Sequence, residues 1–234
     1  MVAARIQRLA DLLSRFWISR AALGSEDMTL VDSLELVDWR RRMGDAYRES
    51  SLGAWREARD QLFGGHPQSP IPAGRRAAFQ GLRWFPPDPT YRVQAAVETT
   101  DPSPLEIDTG GEDGVISYRR SGRLRFQLQG RECSLTVFSL QGYGGGLFLP
   151  FTDATSGRET YGGGRYLFDT IKNTDAGCLD FQLGAAEVTI DFNYAYHPSC
   201  HYNPRWACPL APPENRLAVA VRAGEVSYPA EEGL

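Results

Sequence analysis

Beyond the turn Pro86-Pro87-Asp88-Pro89 the chain offers one short β-type run after another, at 91–99, 105–109, 114–120, 123–129, 133–140, 147–151, 164–168, 179–183, 186–192 and 217–223. Turn residues, and no run of helical period, separate them. Consecutive strands without crossover helices cannot build a parallel sheet, so the expectation is an antiparallel β-barrel or β-sandwich. The alternation of Leu124, Phe126 and Leu128 with Arg123, Arg125 and Gln127 gives these strands one inner and one outer face. Leu135 and Val137 continue the inner face, and Thr136 is expected outside.

The first part of the chain has a different period. Ile6, Leu9, Leu12, Leu13 and Phe16 recur at helical spacing between arginines and predict an amphipathic helix over 5–18. A second helix is expected over 30–50, on Leu34, Val37, Trp39 and Tyr47, with Asp32 or Ser33 as its cap. A third is expected over 52–63, on Trp55, Ala58 and Leu62. GGHPQSPIPAG, at 64–74, is too rich in proline and glycine for a helix or a central strand. The expected organisation is a helical segment at 1–63, a connector at 64–90 and an antiparallel β domain at 91–234 carrying the site.

Composition narrows the function classes. With 42% apolar and 23% charged residues the chain is an ordinary globular one, and its net charge of −4 argues against a general nucleic-acid binder. Lys172 is the only lysine. The N-terminal apolar residues are interrupted by Arg5, Arg8, Asp11 and Arg15, so neither a signal peptide nor a membrane span is expected. The expected location is the cytoplasm, where four cysteines stay mostly reduced.

Two stretches concentrate chemistry. Gly142 to Gly146 and Thr160 to Tyr166 are rich in glycine, but without a following lysine or helix onset they are no phosphate loop and read as turns and bulges. Arg165 could fork onto an anion; a solvated ion pair with Asp153 or Glu159 is its plainer role. In the second stretch, 191–209, a strand ends in a polar and aromatic loop. Asp191 and Asn193 share a strand face, and Tyr194 and Tyr196 follow. Cys200 and Cys208 with His197 and His201 invite zinc, although the spacing matches no zinc-finger signature; a reactive thiol or buried structural cysteines are the other readings. The prolines after Cys208 predict a rigid strap across the domain, bearing Glu214. His66 reads as a turn residue rather than a catalyst.

His66-Pro67-Gln68-Ser69-Pro70, Phe79-Gln80-Gly81-Leu82, GRETYGGGRYL, DFNYAYHPSC and CPLAPPENRL together resemble the family known as domain of unknown function 1684, over about 55–228. The resemblance implies a shared fold and a shared side-chain cluster, and it brings no common activity. It also implies that Cys200 and Cys208 occupy positions of the family pattern, whereas the positions of His197 and His201 more often carry other residues, so that a site needing both histidines would be peculiar to this protein.

The residues themselves lead to a soluble protein that binds a small anionic or polar aromatic molecule and could act on it as an enzyme. Arg165, Tyr161, Asn193, Tyr194 and Tyr196 would hold the ligand; Cys200 would be the nucleophile, with Asp191 or Glu214 handling a proton. Two alternatives stand beside it: a noncatalytic interaction or structural module, and a zinc-dependent hydrolase. No motif names a cofactor. The partner expected is a small-molecule ligand, without nucleic acid or membrane, and assembly into a homo-oligomer is compatible with the sequence.

Overall fold

The computed structural model of the protein describes residues 29–49, 51–110, 114–142 and 144–228. The helix expected over 5–18 lies outside them. Helix α1 (Leu30–Ala46) starts at Thr29, whose hydroxyl accepts the Asp32 amide while the Asp32 carboxylate accepts the Thr29 amide. The cap is therefore Thr29, and Asp32 completes a capping box instead of being the cap itself. Leu34 and Val37, expected to pack, are solvent-exposed, whereas Leu36, Met43 and Tyr47 are buried. Helix α2 (Leu52–Gly65) is capped by the Ser51 hydroxyl and buries Trp55, Arg59, Leu62 and Phe63.

The connector is held by polar contacts. His66 Nδ1 accepts the Gln68 amide at 3.0 Å and its Nε2 faces Asp38 Oδ2 of α1 at 3.2 Å. His66 thus ties the end of α2 to α1, a structural task. A one-turn helix, α3 (Ala73–Arg76), and the short strand β1 (Arg83–Trp84) interrupt the otherwise irregular connector.

Strands β2 (Arg92–Glu98), β3 (Ser103–Asp108), β4 (Val115–Leu128), β5 (Arg131–Leu140), β6 (Leu147–Phe151), β7 (Arg165–Asp169), β8 (Leu179–Asp180) and β9 (Glu187–Asp191) form one antiparallel sheet. Its order is β7-β6-β5-β4-β2-β9-β8, with β3 paired to β4 off that path. The runs expected at 114–120 and 123–129 are one strand, β4, whose pairing register shifts between Arg120 and Gly122. At the β4–β5 hairpin Gln129 and Gly130 take φ of 51° and 71°, the left-handed pair that a two-residue hairpin needs to match the strand twist.

Closure makes this a barrel and not a sandwich. Beyond β9 the chain turns back, and Tyr166 and Tyr196 exchange both backbone hydrogen bonds, at 2.8 and 3.0 Å, across the gap to β7. The result is a nearly closed seven-strand barrel with helices at its N-terminal side. Its interior is filled with rings: Tyr118 stacks on Phe148, Phe148 meets Tyr166 edge-on, and Phe192 lies between Phe126 and Phe151. Such side chains each contribute about 2 kcal/mol on burial and leave a packed core.

Two expectations along the strap change. The run expected as a strand at 217–223 buries Leu217, Val219, Val221 and Ala223 in alternation but follows Thr152 and Ala154 through scattered hydrogen bonds without forming a ladder. The last strand is β10 (Glu225–Val226), paired with β1. Thr136, expected outside, is buried because the strap covers it. Asn215 accepts the Thr136 amide and donates to the Thr136 and Pro150 carbonyls, bridging β5 and β6 where their direct pairing has ended. Among the described residues no helix is long and apolar enough to cross a membrane.

Candidate functional site

The residues expected to form one pocket divide into two groups. Arg165, on β7, points inward and is 1% exposed. Its guanidinium pairs with Asp153 at 2.6 Å and donates to the carbonyls of Val221, Ala223 and Glu225. Gly164 permits this entry into the strand, since at φ +96° a Cβ there would meet the Phe151 carbonyl at 2.6 Å. Arg165 therefore fastens the end of the strap to the barrel, and only its Nε lacks a partner. The plainer ion-pair expectation gave the right partner, Asp153, in a buried setting.

Asp191 and Asn193 do converge, but on each other. Asp191 Oδ1 accepts the amide and the side-chain nitrogen of Asn193 at 2.9 and 2.8 Å, and Asn193 also brackets both backbone groups of Asp88. All this fixes the turn Phe192–Tyr194 at the end of β9. Tyr194 packs on Trp55, and the Tyr196 hydroxyl shares a 2.9 Å hydrogen bond with Thr174. Both tyrosines are buried, and burial raises their pKa. Glu214 lies apart on the strap, forked by Arg120 at 2.8 to 3.0 Å.

Behind Tyr196 stands a knot that no sequence spacing announces. Arg59 of α2 and Glu225 of β10, 166 positions apart, are each 1% exposed and pair at 3.3 Å. Arg59 lies over Trp55, Phe63, Trp84 and Tyr196, a set of ring faces that favour a cation. Glu225 accepts from the Tyr202 hydroxyl and, at 2.9 Å, from the His197 amide. Burial pushes the Glu225 carboxyl up, while Arg59, the tyrosine and the amide pull it back toward the charged form. The general signal for such a knot was an arginine on the apolar face of α2, which a single sequence does not connect to any carboxylate.

The histidines are locked from the same side. His197 Nε2 accepts the Tyr161 amide at 3.2 Å, and His201 Nε2 accepts the Tyr228 amide at 2.9 Å. Each ring thus carries its proton on Nδ1. Burial lowers both pKa values, that of His197 well below the usual range and that of His201 to about 4, so both are neutral at pH 7.

The second group is Tyr161, Cys200 and Cys208. The short turn Ser199–His201 presents Cys200, half-buried, whose thiol lies 3.8 Å from the Tyr161 hydroxyl. Tyr161 in turn packs against the His201 ring at 5.0 Å. Cys208 returns beneath the turn, anchored by the Tyr166 hydroxyl bonding the Pro209 carbonyl at 2.6 Å. The acidities of the two thiols depend on each other, and the Tyr161 hydroxyl is the partner that Cys200 meets at hydrogen-bonding distance.

That dependence separates them. Interaction with Cys208 pushes the Cys200 thiol up, with burial adding to the rise. Cys208 is lowered to about 7 by Cys200, helped against burial by the Lys172 charge and the amides of Cys200 and Ser199. Cys208 is thus lowered and Cys200, expected as the nucleophile, is raised. The first proton is a property of the pair. Cys133 and Cys178 are buried elsewhere with raised pKa values.

Among the described residues no group of three or more His, Cys, Asp or Glu side chains is placed to hold a metal ion. The aromatic side chains of Phe192, Tyr194 and Tyr196 are in the core and present no exposed anchor. A groove of about 690 Å³ lies between α1 and α2, lined by Glu35, Asp38, Arg42, Leu62 and His66 among others. None of the expected site residues lines it, and it is distinct from the thiol cluster.

No curated protein matches the chain. A solution NMR structure of an uncharacterized protein from Haloarcula marismortui is 37% identical to it, with a TM-score of 0.55, and the match covers 83% of this chain and 97% of that one. The family model described as a protein of unknown function, DUF1684, matches residues 77–226, a stretch that holds the whole barrel, the strap and both cysteines of the pair. The chain belongs to the DUF1684 family.

Proposed function

We propose that this protein binds a small polar aromatic molecule beside Tyr161 and His201 and acts on it with the Cys200–Cys208 thiol pair as nucleophile. The observation that supports this is a half-buried thiol, 3.8 Å from the Tyr161 hydroxyl, whose acidity is linked to that of Cys208, lowered to about 7. A thiolate stable near neutral pH attacks an electrophilic carbon, and a neighbouring thiol returns the proton. Tyr161, raised to about 12 by burial and by Cys200, stays protonated and supplies a ring face and a hydroxyl to the ligand. Arg165, Asp191, Asn193 and Glu214 take no part in this reading: the first three are buried in contacts within the protein, and Glu214 is forked by Arg120 away from the thiols.

4-Nitrophenyl acetate, a small polar aromatic ester, is a suitable probe. The thiolate attacks the carbonyl carbon, the carbon–sulfur bond forms, and 4-nitrophenolate leaves; water then hydrolyses the thioester to acetate and regenerates the thiol. The expected result is a rate that saturates with probe concentration and rises about tenfold from pH 6 to pH 8. The acetyl group should be found on Cys208 or Cys200 by mass spectrometry. A rate that never saturates, or that Cys208→Ser leaves unchanged, would overturn the proposal.

A further inference from the structure

Four large apolar side chains face solvent on neighbouring turns of α1: Leu30 is 75% exposed, Val31 63%, Leu34 59% and Val37 37%. Leu30, Leu34 and Val37 recur at i, i+4 and i+7 and so form one stripe, and an apolar stripe left open on a globular protein marks a face that something covers. Leu34 also lines the groove between α1 and α2, whose apolar wall continues through Ala46, Ala58 and Leu62. Four carboxylates, those of Glu35, Asp38, Asp45 and Glu49, line the same groove beside one guanidinium, that of Arg42. Asp38 and Asp45 pair with Arg42 and Arg48, but at exposed positions where such pairs are worth little. This surface fits an occupant that is apolar on one side and cationic along its flank.

We propose that the occupant is the segment 5–18 of the same chain, which lies outside the described residues, folded back as a helix antiparallel to α1 along this groove. Ile6, Leu9, Leu13 and Phe16 recur in it at i, i+3, i+7 and i+10, an apolar stripe with no partner within its own length. Arg5, Arg8, Arg15 and Arg20 accompany the stripe, and Asp11 is the one carboxylate among the first twenty residues, so the charge of the segment is opposite to that of the groove. A helix over 5–18 is about 21 Å long, a match for the roughly 25 Å of α1. The ten residues between Ile18 and Thr29 can extend about 33 Å, enough for the chain to turn back onto α1. An antiparallel course brings Leu13 and Phe16 to Leu30 and Leu34 at the start of α1, and Arg5 and Arg8 to Asp45 and Glu49 at its end. The groove lies apart from the thiol cluster, so failure of the ester assay leaves this inference standing.

The test is hydrogen–deuterium exchange of the full-length protein, read on peptides covering 5–18, with the mass in solution followed by light scattering at each concentration. Amides of the segment should exchange at least about tenfold more slowly than those of an unstructured chain, at every protein concentration. Leu34→Asp should abolish this protection while the near-ultraviolet circular dichroism of the barrel stays unchanged, because Leu34 is exposed outside the proposed contact. Arg5→Glu with Arg8→Glu should weaken the protection, and adding Asp45→Arg with Glu49→Arg should restore it. The proposal is overturned by exchange of 5–18 at unstructured rates, by protection that appears only with a dimer, by protection that Leu34→Asp leaves unchanged, or by a charge reversal that the second reversal does not rescue.

Discussion

Arg165 and Cys200 come from the two sequence stretches densest in chemistry, and they end in opposite circumstances. Arg165 is enclosed, with its charge matched by Asp153 and its two terminal nitrogens donating to strap carbonyls. A guanidinium held in this way has no free fork to offer a ligand. Cys200 sits half-buried on a short turn, 3.8 Å from the Tyr161 hydroxyl, and its neighbours Tyr161 and His201 are also partly exposed. Most buried polar groups find partners within the protein, because leaving one unpaired costs about 1–3 kcal/mol; a partly exposed, weakly paired group keeps more of its capacity for chemistry.

The largest effect should come from the enclosed region. Removing one partner of a buried ion pair leaves the other charge uncompensated, so Glu225→Ala and Asp153→Ala should each lose ~3–5 kcal/mol in urea unfolding. The double variant Arg59→Met with Glu225→Leu should recover part of that loss, since it buries no lone charge. If Glu225→Ala unfolds at the wild-type urea concentration, the knot is not structural and the contrast between the two regions collapses.

Acidification should produce a smaller loss. His201 has a folded pKa of about 4, below its ordinary value of 6.5, and His197 is lowered as well. Between those values the unfolded chain binds protons that the folded protein does not, so stability falls as pH drops from 6.5 toward 4. For His201 the loss is of order 1–3 kcal/mol, and urea midpoints measured along this pH range should show it. His201→Gln, which keeps an acceptor for the Tyr228 amide, should flatten that part of the profile; an unchanged slope would place the titration elsewhere.

The smallest effect is expected at Glu214. Its fork with Arg120 is partly exposed, so Glu214→Gln should change stability by no more than ~1 kcal/mol and leave the ester reaction unaltered. A strong loss of reaction would return Glu214 to the site and sharpen the boundary between the two regions.

Much of the fold was legible in the sequence for local reasons. The 3.6-residue and two-residue periods, the Pro/Gly connector and the alternation in β4 each depend on neighbours in the chain, and α1, α2 and most strands fall where those periods put them. Cys200, Cys208 and Tyr161 were legible as reactive types. Their grouping was not, because Tyr161 reaches Cys200 through the β7 side of the barrel and Cys208 through an irregular strap.

What the sequence determined by itself was the class of the domain, its helical approach and the inventory of reactive side chains, since residue type and short-range spacing carry that information. Only the tertiary structure decided that the strands close through Tyr166 and Tyr196, and that Arg165, Asp191 and Asn193 are internal ties. It also decided that Arg59 meets Glu225 across 166 positions, and that the acidity of Cys208 is lowered toward neutral pH while the Cys200 thiol is raised. Burial and partner are properties of position in space, and they fix both the pKa of a group and whether its hydrogen bonds are already taken.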